Sequence, residues 1–212
     1  MAVIAFVYAD IKTSRLRNVY APLADGLVEN IQSVMPGVKI IHLTDEDTPA
    51  VKGCDILRIK RKVPPMSWRL IVQSLAHAVE DEILFTEPDV RFNENVLDVF
   101  EKDFDVTVAD REERAVFRGR EVLPITLGAN FSRSGQFWTD CAKYCLTLER
   151  KEQIWGGDIT SVSHVMQRYN VLTLPAESYN HVPKTREDRS GKMLHYKGNR
   201  KSWLFPEMKE AA

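Results

Sequence analysis

ILFTEPDVRF, Ile83 to Phe92, runs four apolar or β-prone residues into Glu87-Pro88-Asp89 and then places an apolar residue on either side of Arg91. Two carboxylates thus stand on either side of one proline, at the end of what reads as a buried strand. An ionised carboxylate is costly to bury unless a cation meets it. Side chains alternate in extended backbone, so Glu87 and Asp89 project to the same side, roughly 7 Å apart. One divalent ion reaches both only across a bend, which Pro88 helps to supply. Hard oxygen ligands favour Mg²⁺ or Mn²⁺, ions that take a few carboxylates and then the phosphates of a substrate. The competing reading is a strand-ending turn with solvated carboxylates.

Strand and helix alternate around this segment. Val3 to Tyr8 is a short apolar run suited to a strand covered on both faces. Leu16 to Val34 has helical spacing (Leu23, Leu27, Ile31, Val34) and is closed by Pro36-Gly37. Strands are expected at Val38 to Leu43 and Asp55 to Ile59, and a helix carrying Arg69 from Ser67 to Val79. After the opening stretch, Asp105 to Asp110 reads as a strand. Gly135 to Glu149 and Asp158 to Tyr169 read as helices, and VLTLP, from Val171, as a last strand. The order implies an α/β sandwich with a mostly parallel central sheet and flanking helices. Ligands in such folds collect at the carboxyl ends of the strands. The ends VYAD (Val7 to Asp10) and TEPD are therefore expected to converge.

The chain has 212 residues, 44% hydrophobic and 28% charged, with a net charge of −1. This fits one domain, residues 1–212, with no repeat or linker. Bulk charge points to no polyanion partner. Two basic clusters, Arg58 to Lys62 and Lys192 to Lys201, read first as solvated surface and second as flanks of a groove for a nucleic acid or a lipid-linked glycan. The three cysteines have no metal-knuckle spacing, and Cys141 and Cys145 read as one buried helix face. Without a disulfide framework, a signal peptide or a membrane span, a cytoplasmic protein is expected.

The second distinctive segment is HYKGNRKSW, His195 to Trp203. A glycine allows close backbone approach to a ligand, a lysine supplies a mobile charge suited to a diphosphate, and an imidazole tilts a hard-oxygen site towards Mn²⁺. Together with the carboxylate strand, this segment resembles the GT-A nucleotide-sugar transferases, above all the retaining family that includes glycogenin and bacterial lipopolysaccharide galactosyltransferases. ILFTEPDVRF occupies the place of that family's D-x-D strand. HYKGNRKSW follows its near-terminal H-x-x-G-x-x-K-P-W, with Ser202 in the proline position.

By this resemblance the fold is GT-A, Rossmann-like, and Glu87, Asp89 and His195 are the ligands of Mn²⁺ or Mg²⁺. Gly198, Lys201 and Arg69 contact the donor phosphates. Tyr8, Ala9 and Asp10 recognise uracil and ribose, and Asp158 in WGGDI faces the donor sugar and acceptor. The plain reading of Asp158 is a helix N-cap. The implied activity is transfer of a hexose from a UDP-sugar, with retention, to a glycan, a protein or, as a minor option, a nucleic acid. Three departures stand out: Glu87 replaces the first aspartate, Ile159 the glutamine after the aspartate, and Thr126 the asparagine of an N-x-G segment. Ile159, Thr126 and the reduced acceptor-binding insertions of a short chain keep open a degenerate, non-catalytic nucleotide-binding relative. A nucleotidyltransferase would bring a glycine-rich loop after the first strand, and YADIKTSRLRN has none. The oligomeric state is not read from the sequence. Trp155 and Trp203 read as core residues before stacking platforms.

Overall fold

The computed structural model describes residues 2–9, 17–110, 115–117 and 120–204. In chain order the first half holds β1 (Val3–Val7), α1 (Arg17–Val34), β2 (Ile40–Thr44), β3 (Asp55–Arg58), α2 (Pro65–Ala76), β4 (Ile83–Thr86), β5 (Val90–Phe92) and β6 (Val106–Asp110). The second half holds β7 (Ala115–Phe117), β8 (Arg120–Val122), β9 (Ile125–Thr126), β10 (Ala129–Ser132), α3 (Gly135–Thr147), α4 (Arg150–Ile154), α5 (Gly157–Val165), β11 (Val171–Leu174), α6 (Ala176–Tyr179) and β12 (Met193–His195).

Eight of these strands form the central sheet, in the order β11-β6-β10-β4-β1-β2-β3 with β9 beside β6. Pairings β1–β2, β1–β4, β2–β3 and β6–β11 are parallel. Strand β10 runs antiparallel between β4 and β6, and β9 is antiparallel to β6. The expected mixed α/β fold with a mostly parallel sheet is what forms.

Strand parity sorts the side chains into two cores. Val3, Ala5, Ile41, Leu43, Ile83, Phe85, Val106 and Val108 join the core shared with α2, α3 and α5. Ile4, Phe6, Ile40, Leu84, Ala129 and Phe131 face α1 and β5 on the other side. Helix α3 buries Phe137, Trp138, Cys141 and Cys145, as its period requires.

Several limits differ from the sequence reading. Helix α2 opens at Pro65, two residues before Ser67, because proline suits the first helical turn, and it ends at Ala76. Helix α5 stops at Val165 and tightens into a 3₁₀ turn over Met166–Arg168.

The largest departure is a second sheet, β5 with β12, pairing Phe92 with Met193, Arg91 with Leu194 and Val90 with His195. Asn30 of α1 secures this ribbon. Its amide donates to Phe92 O at 3.0 Å and accepts from Phe92 N at 2.7 Å, as a neighbouring strand would. Replacing Asn30 by Ala leaves both backbone groups of Phe92 without these partners. It should destabilise the fold by about 1–3 kcal/mol, read as a lower urea midpoint. An unchanged midpoint would show that the ribbon does not depend on this clamp.

Candidate functional site

Because β1 and β4 are parallel neighbours, with Phe6 opposite Thr86, their carboxyl ends open on the same edge. A cleft of about 1000 Å³ lies there. Tyr8, Ala9, Arg69, Glu87, Asp89, Asp158, His195, Gly198 and Lys201 all line it. The geometry thus brings together the residues singled out from sequence, with the exception of Asp10, which lies outside the described residues.

Glu87 continues the parity of Ile83 and Phe85 and therefore emerges on the α2 side. There Arg69 Nη1 donates to its Oε1 at 2.6 Å and also stands 3.5 Å from Asp158 Oδ2. Burial would raise the Glu87 carboxyl, but Arg69 and His195 outweigh it and hold it below the usual carboxylate range. Asp158 is raised, because burial outweighs the opposing pull of Arg69. The N-cap of α5 is Gly156, in the left-handed region at φ 83°, so the plain reading of Asp158 as the cap is not met. Its Oδ1 instead accepts from Ile159 N at 2.9 Å.

After Pro88 the chain turns into β5, and the ribbon carries His195 to the carboxylates. Tyr196 N donates to Asp89 O at 2.9 Å. His195 Nε2 lies 3.2 Å from Glu87 Oε2 and 3.4 Å from Asp89 Oδ1. Lys201 Nζ forms a close ion pair with Asp89 Oδ2. The carboxylates are not solvated turn residues: the Asp89 side chain is 4% exposed and that of Glu87 27%. The extra methylene of Glu87 lets one oxygen reach Arg69 while the other faces His195.

Hydrogen bonding sets the tautomer of His195. Asn180 Nδ2 donates to Thr126 Oγ1 at 2.7 Å, which leaves Asn180 Oδ1 to accept from His195 Nδ1 at 2.8 Å. Nδ1 therefore carries hydrogen, and Nε2 points at the two carboxylates. Ligand atoms of Glu87, Asp89 and His195 all lie within 4.8 Å of one another. Asp89 Oδ1 is buried without a hydrogen-bond partner. Three electron-rich atoms converging in this way call for a cation among them, either a proton on Nε2 or a metal ion. Burial alone would lower the His195 pKa, but Asp89 and Glu87 outweigh it and the net direction is up. An acid pair with an imidazole, held by an outer amide, is a donor set that fits a divalent ion.

Sequence reading missed Asn180 and gave no role to Gly128, the glycine of the segment that resembles N-x-G. A Cβ at Gly128 would stand 2.1 Å from His195 Nδ1 and 2.3 Å from Asn180 Oδ1, so the backbone passes where only glycine fits. No spacing marks Asn180, whose partners Thr126 and His195 lie 54 and 15 residues away. Gly198 serves differently: at φ 59° it makes the turn into the last 3₁₀ segment, with open space where a Cβ would be.

At the far wall, Tyr8 stacks on His42 at 5.7 Å, and His42 stacks on Phe6 at 4.9 Å. His42 Nε2 bonds Tyr8 O at 2.9 Å, and burial lowers the His42 pKa. The basic clusters are largely engaged within the chain. Arg58 donates to the carbonyls of Asp45, Glu46 and Thr48, Lys60 pairs with Glu46, and Lys192 with Glu94. Trp155 is not a core residue, being 63% exposed. Trp203 is half-buried beneath Arg200.

Gly128→Ala should push the imidazole out of place and weaken Mn²⁺ binding at least about tenfold, in line with the loss of an outer-shell support. Isothermal titration with MnCl₂ reads this. Wild-type affinity in the variant would separate the tight backbone approach from the ion site.

No sequence family matches the chain, and no curated protein matches it in sequence. Solved structures do. The glycosyltransferase GlyE of Streptococcus pneumoniae TIGR4 superposes with a TM-score of 0.61 at 14% identity, over 96% of this chain and 60% of that one. A glycosyltransferase involved in the glycosylation of the major capsid of PBCV-1 gives 0.54 at 12%, over 95% and 98%. The WbbM bifunctional glycosyltransferase gives 0.60 at 10%, over 93% and 46%. The chain thus spans less than two thirds of the GlyE and WbbM chains. Its fold is that of the GT-A type glycosyltransferases.

Proposed function

We propose that this chain is a metal-dependent glycosyltransferase that takes a hexose from a nucleotide-diphosphate sugar, in the first place a UDP-sugar, and transfers it with retention. The observation that carries this reading is the meeting of Glu87, Asp89 and His195 at the carboxyl edge of a GT-A sheet. Retention and the uridine base rest on the resemblance of the two motifs to the retaining family.

In this reading Glu87, Asp89 and His195 hold Mn²⁺ or Mg²⁺. A bound ion of this kind supplies Lewis-acid stabilisation of the leaving diphosphate. Arg69 orients Glu87 and Asp158 at once, since its guanidinium touches both. Lys201, paired with Asp89 at the cleft wall, would offer its ammonium to the donor diphosphate. Tyr20 lies under the same ammonium, 5.6 Å from ring centre to Nζ, and keeps that charge at the cleft wall. Tyr8, backed by His42, forms the face for the base, with Ala9 leaving room beside it. Asp158 faces the donor sugar and stabilises positive charge growing at its anomeric carbon.

A second reading, a nucleotide-binding relative without turnover, is favoured by one observation. Among the described residues, Glu87 and Asp89 already pair with Arg69 and Lys201, so the bare site is partly neutralised by the protein itself.

Titration with UDP should show binding that tightens when Mn²⁺ is added, and the pure protein should slowly hydrolyse a UDP-sugar to UDP. Asp89→Asn, which keeps the shape of the side chain, should lower that turnover by about 10²-fold or more with an unaltered circular dichroism spectrum. Metal-independent UDP binding with no hydrolysis of any nucleotide sugar would favour the non-catalytic reading. Full turnover in the variant would refute the metal assignment.

A further inference from the structure

The cleft lining is of two chemical kinds. One is the ionic cluster. The other is apolar and comprises Pro65 and Met66 of α2, Leu127, Ile154 and Trp155. Apolar surface that is rimmed by polar groups and left open to water marks a candidate binding surface. Trp155 is 63% and Ile154 49% exposed, whereas Trp68 and Trp138 are 3% and 1%.

Trp155 is held firmly for so exposed a side chain. Its backbone N–H donates to Lys151 O and Glu152 O, at 3.3 and 3.1 Å, and its φ of −149° leads into Gly156 at φ 83°. The indole is therefore presented from a fixed turn, three residues before Asp158. Polar groups share this stretch of the cleft. Arg61 lines it with a side chain 32% exposed, engaged by Asp45 Oδ2 only at 3.9 Å. Asp158 and Arg69 line it too, with side chains 13% and 18% exposed.

A flat apolar plate beside hydrogen-bonding groups matches one ligand chemistry well. A pyranose has an apolar C–H face and a rim of hydroxyls, so it can stack on the indole and still satisfy its polar edge. An alkyl chain would leave Arg61 and Asp158 without use. We propose that Trp155 is the stacking platform for a pyranose ring of the acceptor, and hence that the acceptor is a glycan. This rests on the transferase reading above, because it is the transfer reaction that requires a hydroxyl-bearing molecule in the cleft. A ring on Trp155 enters from the side of Asp158, where its hydroxyl can approach the donor's anomeric carbon. In the transfer that hydroxyl oxygen forms the new glycosidic bond, the bond from the anomeric carbon to the diphosphate oxygen breaks, and the hydroxyl proton leaves with the nucleoside diphosphate.

The test is a fluorescence titration in the presence of UDP and Mn²⁺. The panel is disaccharides ending in glucose, galactose, mannose, rhamnose or an N-acetylhexosamine, with dodecyl phosphate as the alkyl comparison. At least one disaccharide should bind the wild-type chain at millimolar concentration. Trp155→Ala should weaken it about tenfold or more, the equivalent of ~1.4 kcal/mol, and Trp155→Tyr should restore most of the affinity. UDP affinity, measured separately by calorimetry, should stay within about twofold in both variants, well under that tenfold step. Normal UDP binding with no saccharide binding, with saccharide binding that survives Trp155→Ala, or with dodecyl phosphate binding in place of saccharide overturns the acceptor inference alone. Absence of Mn²⁺-dependent UDP binding in the wild-type chain overturns the transferase reading and the acceptor role with it.

Discussion

The site depends on the neutralisation of acidic groups withdrawn from water. Glu87, Asp89 and Asp158 converge at the end of β4, and desolvating ionised carboxylates costs several kcal/mol each unless cations accompany them. The chain supplies Arg69 from α2, Lys201 from the last 3₁₀ segment and an imidazole from β12. Removing one partner from such a buried set costs about 3–5 kcal/mol, so the cluster ties the C-terminal segment to the sheet as well as forming a site. Glu87, Asp89 and His195 would hold a divalent ion, and Lys201 beside them would offer its ammonium to an anionic group.

Much of this arrangement is legible in the amino-acid order, for definable reasons. Strands β1 and β4 are short apolar runs with sharp polar ends, so their existence and the position of the carboxylates follow from local pattern. Helix α3 declares itself through Phe137, Cys141 and Cys145, one turn apart. The two motifs, far apart in sequence, are joined into one site by their resemblance to the GT-A transferases, which carry both. The hidden parts are those whose causes are non-local. Strands β5 and β12 have three residues each, too few to show alternation, and their pairing crosses about half the chain. The antiparallel placement of β10 between β4 and β6 leaves no mark in its own four residues. Gly128 belongs to the N-x-G-like segment, but its close approach to His195, like the part played by Asn180, follows from what packs there and is not carried by spacing or composition.

Two departures from the family pattern acquire physical meaning in the fold. Glu87, longer than the aspartate it replaces, divides its oxygens between Arg69 and His195, a span that a shorter side chain covers less readily. Thr126 accepts from both Asn180 and Lys197 and so steadies the amide that sets the tautomer of His195. Ile159 instead lines the cleft with an apolar surface, continuous in character with Leu127 and Ile154. Ionic and apolar side chains thus line one cleft, the apolar share including Leu127, Ile154 and Ile159.

The central claim is that an imidazole from the far end of the chain and the strand-end carboxylates bind one ion together. Pulsed electron paramagnetic resonance of the Mn²⁺-loaded protein tests it most directly. The account predicts nitrogen modulation from a single directly bound imidazole, present in the wild-type chain and lost in His195→Ala while the other described histidines are retained. A Mn²⁺ spectrum without nitrogen coupling, or one unchanged by that substitution, would contradict it.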